Sequence, residues 1–223
     1  YLKEFYKLRK IPTVIYNSPI SKARKPLSKS LREDLPVSKS AKIIVYVGSV
    51  TYNRGLEETI KIVKDIPELV LATVGPSNKK VLNNLKEIVR NYKLEDRVFF
   101  LDPVPPYQVV NYISSADASI LPIKNVCLSY YFCMPNKLFE SVFANLPLIV
   151  SDLKDISDFV KRYKCGVVCN IENKKNTRVK IVQLLSDLNK YRINEELMSS
   201  LYLKYSWKNQ ESKLLGIYNL LLK

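Results

Sequence analysis

Residue types that suit a phosphorylated ligand occur first in the segment 48–56, which reads GSVTYNRGL. Gly48 ends an apolar run, and Arg54 and Gly55 precede a helical pattern. A helix N-terminus beside a guanidinium suits a diphosphate, through backbone N–H groups, the helix dipole and a bidentate charge. A surface arginine between two turn glycines is the simpler interpretation of this loop alone. The loop lacks the G-x-G-x-x-G pattern of dinucleotide sites, which disfavours a hydride-transfer enzyme.

A second segment, SYYFCMPNKLFESVFANLPLIVSD (129–152), is more informative. Pro135 precedes a predicted helix that begins with Asn136, Lys137 and Glu140. An acidic residue near a helix N-terminus is ordinarily only a favourable partner for the dipole. Here the Glu140 carboxylate could accept hydrogen bonds from both hydroxyls of a ribose, while Asn136 and Lys137 face phosphate oxygens.

The elements around these segments alternate between strand and helix from residue 41 onward. Continuous apolar runs are typical of strands buried on both faces of a parallel sheet, and alternation implies a doubly wound, Rossmann-like α/β fold with a mainly parallel six-stranded sheet. Ligands bind beyond the carboxyl ends of such strands. The strands are predicted at 42–48, 69–75, 97–101, 118–123, 146–151 and 166–169, with helices between them and after residue 174. The polar loop 123–135 is predicted to be the least ordered part.

The composition is that of a globular protein: 223 residues, 47% hydrophobic and 26% charged. No apolar stretch approaches the roughly 20 residues that cross a bilayer. Thirty-six basic residues against 21 acidic ones give a net charge of +15, which attracts anions. A general bias toward lysine explains the charge equally well. The four cysteines match no zinc pattern and no histidine is present, so a reduced, cytoplasmic chain without a metal site is expected.

Four regions are predicted along the chain. Residues 1–17 combine a helical spacing (2–10) with a β-branched run (13–17) and are interpreted as the edge of a preceding domain. Residues 18–40, rich in Pro, Ser and Lys, are interpreted as an interdomain linker. Residues 41–205 form the Rossmann-like domain, and 206–223 form a C-terminal helix with a wide apolar surface.

The motifs P-N-K-L-F-E and A-N-L-P-L-I-V-S-D resemble the donor-site signature of glycosyltransferase family 4, the retaining enzymes of the GT-B fold. The segments YVGSVTYNRGLEETI, VFFLDPVPPYQVVNYISSADASILPI, KCGVVCN and YSWKNQESKLLGIYNLL are similar too, so the resemblance covers about residues 42–223. It implies that this chain is the C-terminal, nucleotide-sugar-binding half of such an enzyme. It also implies an acceptor domain upstream and a C-terminal helix that packs back onto that domain.

The resemblance also implies residue roles. Glu140 matches the second glutamate of E-x7-E, which holds the ribose, and Arg54 takes the place of a lysine that contacts the diphosphate. Lys137 is a possible catalytic residue. The implied donor site consists of Gly48, Ser49, Arg54, Gly75, Val104, Met134, Asn136, Lys137 and Glu140. The implied substrate is a UDP- or GDP-sugar, used without a metal or cofactor.

Three positions depart from the family pattern. Ser49 stands where many members have an arginine, Phe132 stands at the first glutamate of E-x7-E, and Asn145 replaces a glycine. The first glutamate binds hydroxyls of the transferred sugar, so Phe132 supplies no carboxylate for that role.

Three functions therefore stay open on the sequence. The first is a transferase that builds polysaccharide, glycolipid or cell-surface glycan, with a glycan or lipid-linked acceptor at the inner face of the membrane. The second is a degenerate module that binds nucleotide without turnover, which the Phe132 position favours. The third is a basic domain that binds the membrane surface. Nucleic acid is not an expected partner, because no nucleic-acid-binding motif occurs.

Overall fold

A six-stranded sheet organises the protein, whose computed structural model describes residues 1–20 and 29–222. The strands are all parallel and follow the order β3-β2-β1-β4-β5-β6. Their bounds are β1 Lys42–Val47, β2 Leu69–Val74, β3 Val98–Leu101, β4 Ala118–Leu121, β5 Leu148–Ser151 and β6 Gly166–Cys169. The predicted α/β class and the position of each predicted strand are confirmed.

The helices lie between the strands and after the last one. Their bounds are α1 Leu2–Phe5, α2 Leu31–Asp34, α3 Leu56–Lys64, α4 Lys79–Asn91, α5 Val109–Ile113, α6 Leu128–Tyr131, α7 Asn136–Phe143, α8 Lys154–Tyr163, α9 Lys174–Ser186, α10 Glu195–Tyr205 and α11 Trp207–Leu221, with a short 3-10 helix at Asn189–Tyr191.

Both faces of the sheet are buried, which explains the unbroken apolar runs. Successive side chains of β1 point to opposite faces. Ile43 and Val45 join a core formed with α5, α7, α8 and α10, whereas Ile44 and Tyr46 join a second core formed with α3, α4 and α9. Covering both faces leaves the carboxyl edge of the sheet as the place where loops and polar groups meet.

The N-terminal segment differs from its predicted structure. Helix α1 ends at Phe5, far short of residue 10, because Lys7 has a positive φ of 49° and Pro12 follows. The run 13–17 forms no strand in the structure of residues 1–20 and 29–222. Its backbone bonds instead to α11: Tyr16 N donates to the Gln210 side chain at 3.0 Å, and Lys213 Nζ donates to Val14 O at 2.7 Å.

The predicted linker 18–40 is partly built into the domain. Residues 21–28 lie outside the described residues. Leu31 of α2 is fully buried in the core, and the Arg32 guanidinium bonds to the Asp117 carboxylate at 2.7 Å. A capping box between Ser30 and Glu33 starts this helix. Packing of the domain therefore begins near Ser30 rather than at residue 41.

Helix α11 forms as predicted but buries little of its apolar surface. Gln210 is its one buried residue, and the helix forms hydrogen bonds with Val14, Tyr16 and Pro19, which follow α1 in the chain. Leu215 and Tyr218 are 56% and 55% exposed. Large apolar side chains of 1–20 are exposed on the segment that α11 contacts, including Tyr1, Phe5, Tyr6, Ile11 and Val14. An apolar surface of this extent is typical of an interaction site.

We expect the 25.8 kDa chain to self-associate through this surface in solution. The double change Leu215→Asp, Tyr218→Asp should weaken association at least tenfold, because each buried side chain of this size contributes roughly 1.5–3 kcal/mol. Multi-angle light scattering over a concentration series measures the effect. The control is Val179→Asp, Val182→Asp, which charges two exposed valines on α9 and should leave the mass unchanged. A wild-type chain that stays monomeric throughout contradicts the prediction.

Candidate functional site

The residues predicted to bind ligand lie along the carboxyl edge of the sheet. Gly48 and Ser49 follow β1, Gly75 follows β2, and Val104 follows β3. Arg54 lies just before α3, Met134 just before α7, and Asn136, Lys137 and Glu140 within α7. Five of these nine come together, namely Gly48, Gly75, Arg54, Lys137 and Glu140. Val104 and Met134 pack against the hydrophobic core, and Ser49 and Asn136 are exposed.

Two glycines make room for the backbone and the lysine to approach each other. Gly48 has φ +108°, and a Cβ there would lie 3.0 Å from Lys137 Nζ. Gly75 has φ +148°, and a Cβ there would lie 2.5 Å from the Gly48 carbonyl oxygen. Neither space nor backbone conformation admits a larger residue. The space beside these two glycines is taken by the Lys137 side chain and by the Gly48 backbone, so glycine at both positions lets β1, β2 and α7 meet at this edge.

Lys137 is the most perturbed cation of the site. Its Nζ donates a 2.8 Å hydrogen bond to the Tyr46 hydroxyl and lies 4.2 Å from the centre of the Tyr46 ring. Burial, followed by the charge of Arg54, lowers the pKa of Lys137 to about 7, against an opposing effect of Glu140. Near neutral pH this amine is thus poised between its charged and neutral forms.

Arg54 lies beside Lys137 and is held by groups that the sequence did not single out. Its guanidinium carbon lies 5.0 Å from the centre of the Tyr130 ring. Its Nε is buried and has no hydrogen-bond partner among the described residues. The loop that presents it is fastened by Lys124, whose N–H donates to Asn53 O at 3.0 Å and whose Nζ pairs with Glu58 at 2.7 Å. Two cations close together with an unused donor favour an anionic ligand.

Glu140 lines a cleft of about 530 Å³. Asn136, Tyr107 and Trp207 also line this cleft. Burial raises the pKa of the Glu140 carboxyl, although Lys137 opposes the effect, and the carboxylate accepts no hydrogen bond from the described residues. Two larger openings, of about 760 and 720 Å³, lie on the outer surfaces of α4 and α9 and include none of the predicted ligand-binding residues.

The loop before α7 contains a structure that the sequence did not predict. Residues 123–135, expected to be poorly ordered, include helix α6, which supplies the Tyr130 ring beneath Arg54. The Phe132 ring stacks on Tyr1 at 5.3 Å and meets Tyr131 edge-on at 4.8 Å. The first-glutamate position of the resembled motif is therefore occupied by an aromatic cluster.

Asn145 stands where the resembled motif has glycine, and the structure explains why it is tolerated. Its φ is +54°, a left-handed conformation that asparagine adopts more readily than most residues. Its Oδ1 accepts a 2.9 Å hydrogen bond from Ile193 N, which ties the end of α7 to the segment before α10. This departure serves the fold rather than the ligand edge.

A family model described as "Glycosyl transferases group 1" matches residues 28–196. The chain belongs to the group 1 glycosyl transferases. Its sheet and helices match those of GT-B glycosyltransferase structures, including sucrose-phosphate synthase of Thermosynechococcus elongatus, at 20% identity and a TM-score of 0.74 over 89% of this chain and 49% of that one.

Two further proteins are similar to this chain, one in sequence and one in structure. An uncharacterised glycosyltransferase of Methanocaldococcus jannaschii is 24% identical over 87% of this chain and 49% of its own length. HepE of Anabaena, solved in complex with UDP, has 12% identity and a TM-score of 0.65 over 80% of this chain and 49% of that one. This chain thus spans about half the length of the proteins it matches.

Across residues 1–20 and 29–222, no helix is both long and apolar enough to span a bilayer. The same described residues contain no group of three or more His, Cys, Asp or Glu side chains that could hold a metal ion.

We expect Lys137→Met to stabilise the fold at pH 7, by about 1 kcal/mol or more, because it removes a lysine whose ammonium form is disfavoured by burial. The unfolded chain binds more protons at this position between pH 7 and about 10, so the wild-type free energy of unfolding rises with pH in that window. The variant should lose this part of the rise. Chemical denaturation at pH 7, 8, 9 and 10 measures both effects.

The matched control is Lys86→Met on α4, where the lysine is exposed. It should leave the pH dependence of unfolding unchanged. Equal slopes for the wild type and Lys137→Met would show that the Lys137 amine is not depressed in the folded protein.

Proposed function

We propose that this chain is the donor-binding half of a retaining glycosyltransferase of family 4, which transfers a sugar from a nucleoside-diphosphate sugar to an acceptor. The observation on which this depends is the pairing of Arg54 and Lys137 at a glycine-lined sheet edge, next to the unpartnered carboxylate of Glu140. Membership of the group 1 glycosyl transferases supports sugar transfer as the activity.

The diphosphate is assigned to the two cations. Arg54 offers a buried Nε donor without a partner, and Lys137 gains a proton readily once an anion lies beside it. The first N–H groups of α7 add further donors, since the N-cap Pro135 supplies no side-chain cap. Charge that develops on the leaving diphosphate would be stabilised by these fixed groups, so we propose a donor site that works without a metal. Lys137 is the candidate catalytic residue for this reason.

The nucleoside is assigned to the cleft beside Glu140. A carboxylate with free acceptor capacity suits two neighbouring ribose hydroxyls. Tyr107 is 69% exposed at the same cleft and offers a ring against which a base could lie. The cleft volume of about 530 Å³ falls within the usual range for small-ligand sites. UDP and GDP are the proposed donor nucleotides, and the UDP bound to the structural relative HepE supports the first of them.

The acceptor is assigned to a part of the enzyme outside this chain. Because the chain spans about half the length of its relatives, we propose that an N-terminal domain completes the cleft and binds the acceptor. Residues 1–17 and α11 would contact that domain through their exposed apolar side chains. We propose an acceptor in polysaccharide, glycolipid or cell-surface glycan synthesis, at the cytoplasmic face of the membrane, where a net charge of +15 favours anionic lipids.

A nucleotide-binding module without turnover is the second candidate function. One observation favours it: the aromatic side chain of Phe132, stacked on Tyr1, lies where the resembled family places a carboxylate for the transferred sugar. Both candidates predict nucleotide binding, and only the first predicts hydrolysis or transfer of the sugar by the full-length enzyme.

Isothermal titration with UDP, GDP, ADP and NAD tests the donor assignment. We expect UDP or GDP to bind with dissociation constants of roughly micromolar to millimolar, because only part of the cleft is formed by this chain. NAD should not bind measurably, since the loop after β1 lacks the G-x-G-x-x-G pattern of dinucleotide sites. Preference for NAD, or binding of none of the four, contradicts the proposal.

Two substitutions separate the diphosphate and nucleoside contacts. Arg54→Ala should weaken UDP or GDP about tenfold or more and leave uridine or guanosine unchanged, because it removes charge that faces phosphate. Glu140→Ala should weaken the nucleotide and the nucleoside alike, by about 1.5–3 kcal/mol for a lost charged acceptor. The matched controls on α4 are Arg90→Ala for the arginine and Glu87→Ala for the glutamate, since both residues are exposed and away from the site. If neither site variant changes affinity, the site lies elsewhere.

A further inference from the structure

We propose that the Tyr46 hydroxyl positions the phosphate-binding groups of this site, by holding the Lys137 amine and the Ser49 carbonyl in one arrangement. The proposal deepens the function proposed above and rests on it for the identity of the ligand. Tyr46 opens the segment YVGSVTYNRGLEETI but was assigned no role there, because it lies in an apolar strand and has the pattern of a core residue.

The hydroxyl of Tyr46 is used in both of its hydrogen-bonding capacities. It accepts from Lys137 Nζ at 2.8 Å and donates to the Ser49 carbonyl oxygen at 2.8 Å. Lys137 is part of α7, and Ser49 begins the loop that leads to Arg54. One oxygen atom therefore joins the two segments that supply the cations of the site.

The link also joins the two layers of the fold. The Tyr46 side chain is fully buried in the core formed with α3, α4 and α9, whereas α7 packs in the core on the opposite face of the sheet. Contact between the layers is possible here because Gly48 has no side chain, which leaves room for the Lys137 amine at the end of β1. The buried ring fixes the position of the hydroxyl oxygen, so the acceptor for Lys137 is held in place before any ligand arrives.

The charges that face Lys137 explain why a positioning group is needed. Arg54 from the β1–α3 loop repels the ammonium, Glu140 from its own helix attracts it, and Cys133 from the preceding loop lies close by. The Tyr46 ring lies 4.2 Å from Nζ and favours the charged amine. Burial raises the pKa of the Tyr46 hydroxyl, which keeps it protonated and able to donate to Ser49.

Tyr46→Phe isolates the role of the hydroxyl. It keeps the ring, the buried volume and the attraction of the ring for the ammonium, and it removes both hydrogen bonds. Tyr112→Phe is the matched control: Tyr112 is also buried, and its hydroxyl donates to the Asp34 carboxylate at 2.8 Å, away from the ligand edge. Tyr46→Phe loses two hydrogen bonds and Tyr112→Phe loses one, to a carboxylate, so both variants should lower the unfolding temperature.

The probes are inorganic pyrophosphate, UDP, GDP and the matching nucleosides, titrated calorimetrically at pH 7 in buffers of different ionisation enthalpy. We expect Tyr46→Phe to weaken pyrophosphate and the favoured nucleotide about tenfold, and the nucleosides not at all. Proton uptake on binding should also be larger in Tyr46→Phe than in the wild type, because the free amine loses a hydrogen-bond partner and is less often charged. Tyr112→Phe should change neither quantity.

Unchanged pyrophosphate and nucleotide affinity in Tyr46→Phe, or an equal loss in Tyr112→Phe, overturns the positioning role. If the wild type binds pyrophosphate but no nucleotide, the proposed function fails, and the loss of pyrophosphate affinity in Tyr46→Phe still supports the role of Tyr46. If the wild type binds none of the probes, both proposals fall.

Discussion

Placing two cations side by side at a partly buried edge is the constraint on which the rest of this structure depends. Arg54 and Lys137 repel each other, and burial further disfavours the charge of Lys137. The aromatic rings of Tyr46 and Tyr130 lie against them, and the carboxylate of Glu140 partly offsets the repulsion. Such an arrangement is unfavourable by itself, and an anion between the two cations would offset their repulsion, as proposed above for the donor diphosphate.

The sheet and its two hydrophobic cores supply the stability that offsets the unfavourable charges at this edge. Strands β1, β2, β4 and β5 are buried almost throughout, and helices cover both faces. Because the strands are parallel, their carboxyl ends meet on one side, and residues far apart in sequence become neighbours there. Gly48 and Lys137 approach each other for this reason. The apolar core thus determines where the polar site lies, and through the Tyr46 hydroxyl it also supplies a hydrogen-bond partner for Lys137.

The N-terminal segment and α11 carry apolar side chains that the domain itself does not bury. Tyr16, Gln210 and Lys213 join the segment to the helix through hydrogen bonds, while apolar side chains around them remain exposed. The chain also spans about half the length of the Methanocaldococcus jannaschii glycosyltransferase that it matches. These exposed side chains are the ones that we propose, above, to contact a further domain.

The sequence by itself determined the fold class and the edge at which the site lies. Unbroken apolar runs such as 42–47 and 69–74 are local patterns, and they reveal strands buried on both faces of a parallel sheet. The segment from Pro135 to Glu140 could be located in the same way, because a helix start and its polar residues are contiguous in sequence. The site residues Gly48, Arg54, Lys137 and Glu140 were predicted from these local patterns and from the family resemblance.

Only the tertiary structure decided which side chains hold those residues and how far the domain extends. Tyr46 and Tyr130 look like ordinary core and loop aromatics until folding brings them against Lys137 and Arg54. Leu31 looks like part of a linker, and residues 13–17 look like a strand, until α2 reaches the core and α11 takes the backbone bonds that a neighbouring strand would have supplied. These outcomes depend on contacts between residues 76 to 199 positions apart, on burial and on charge proximity, none of which a local pattern contains.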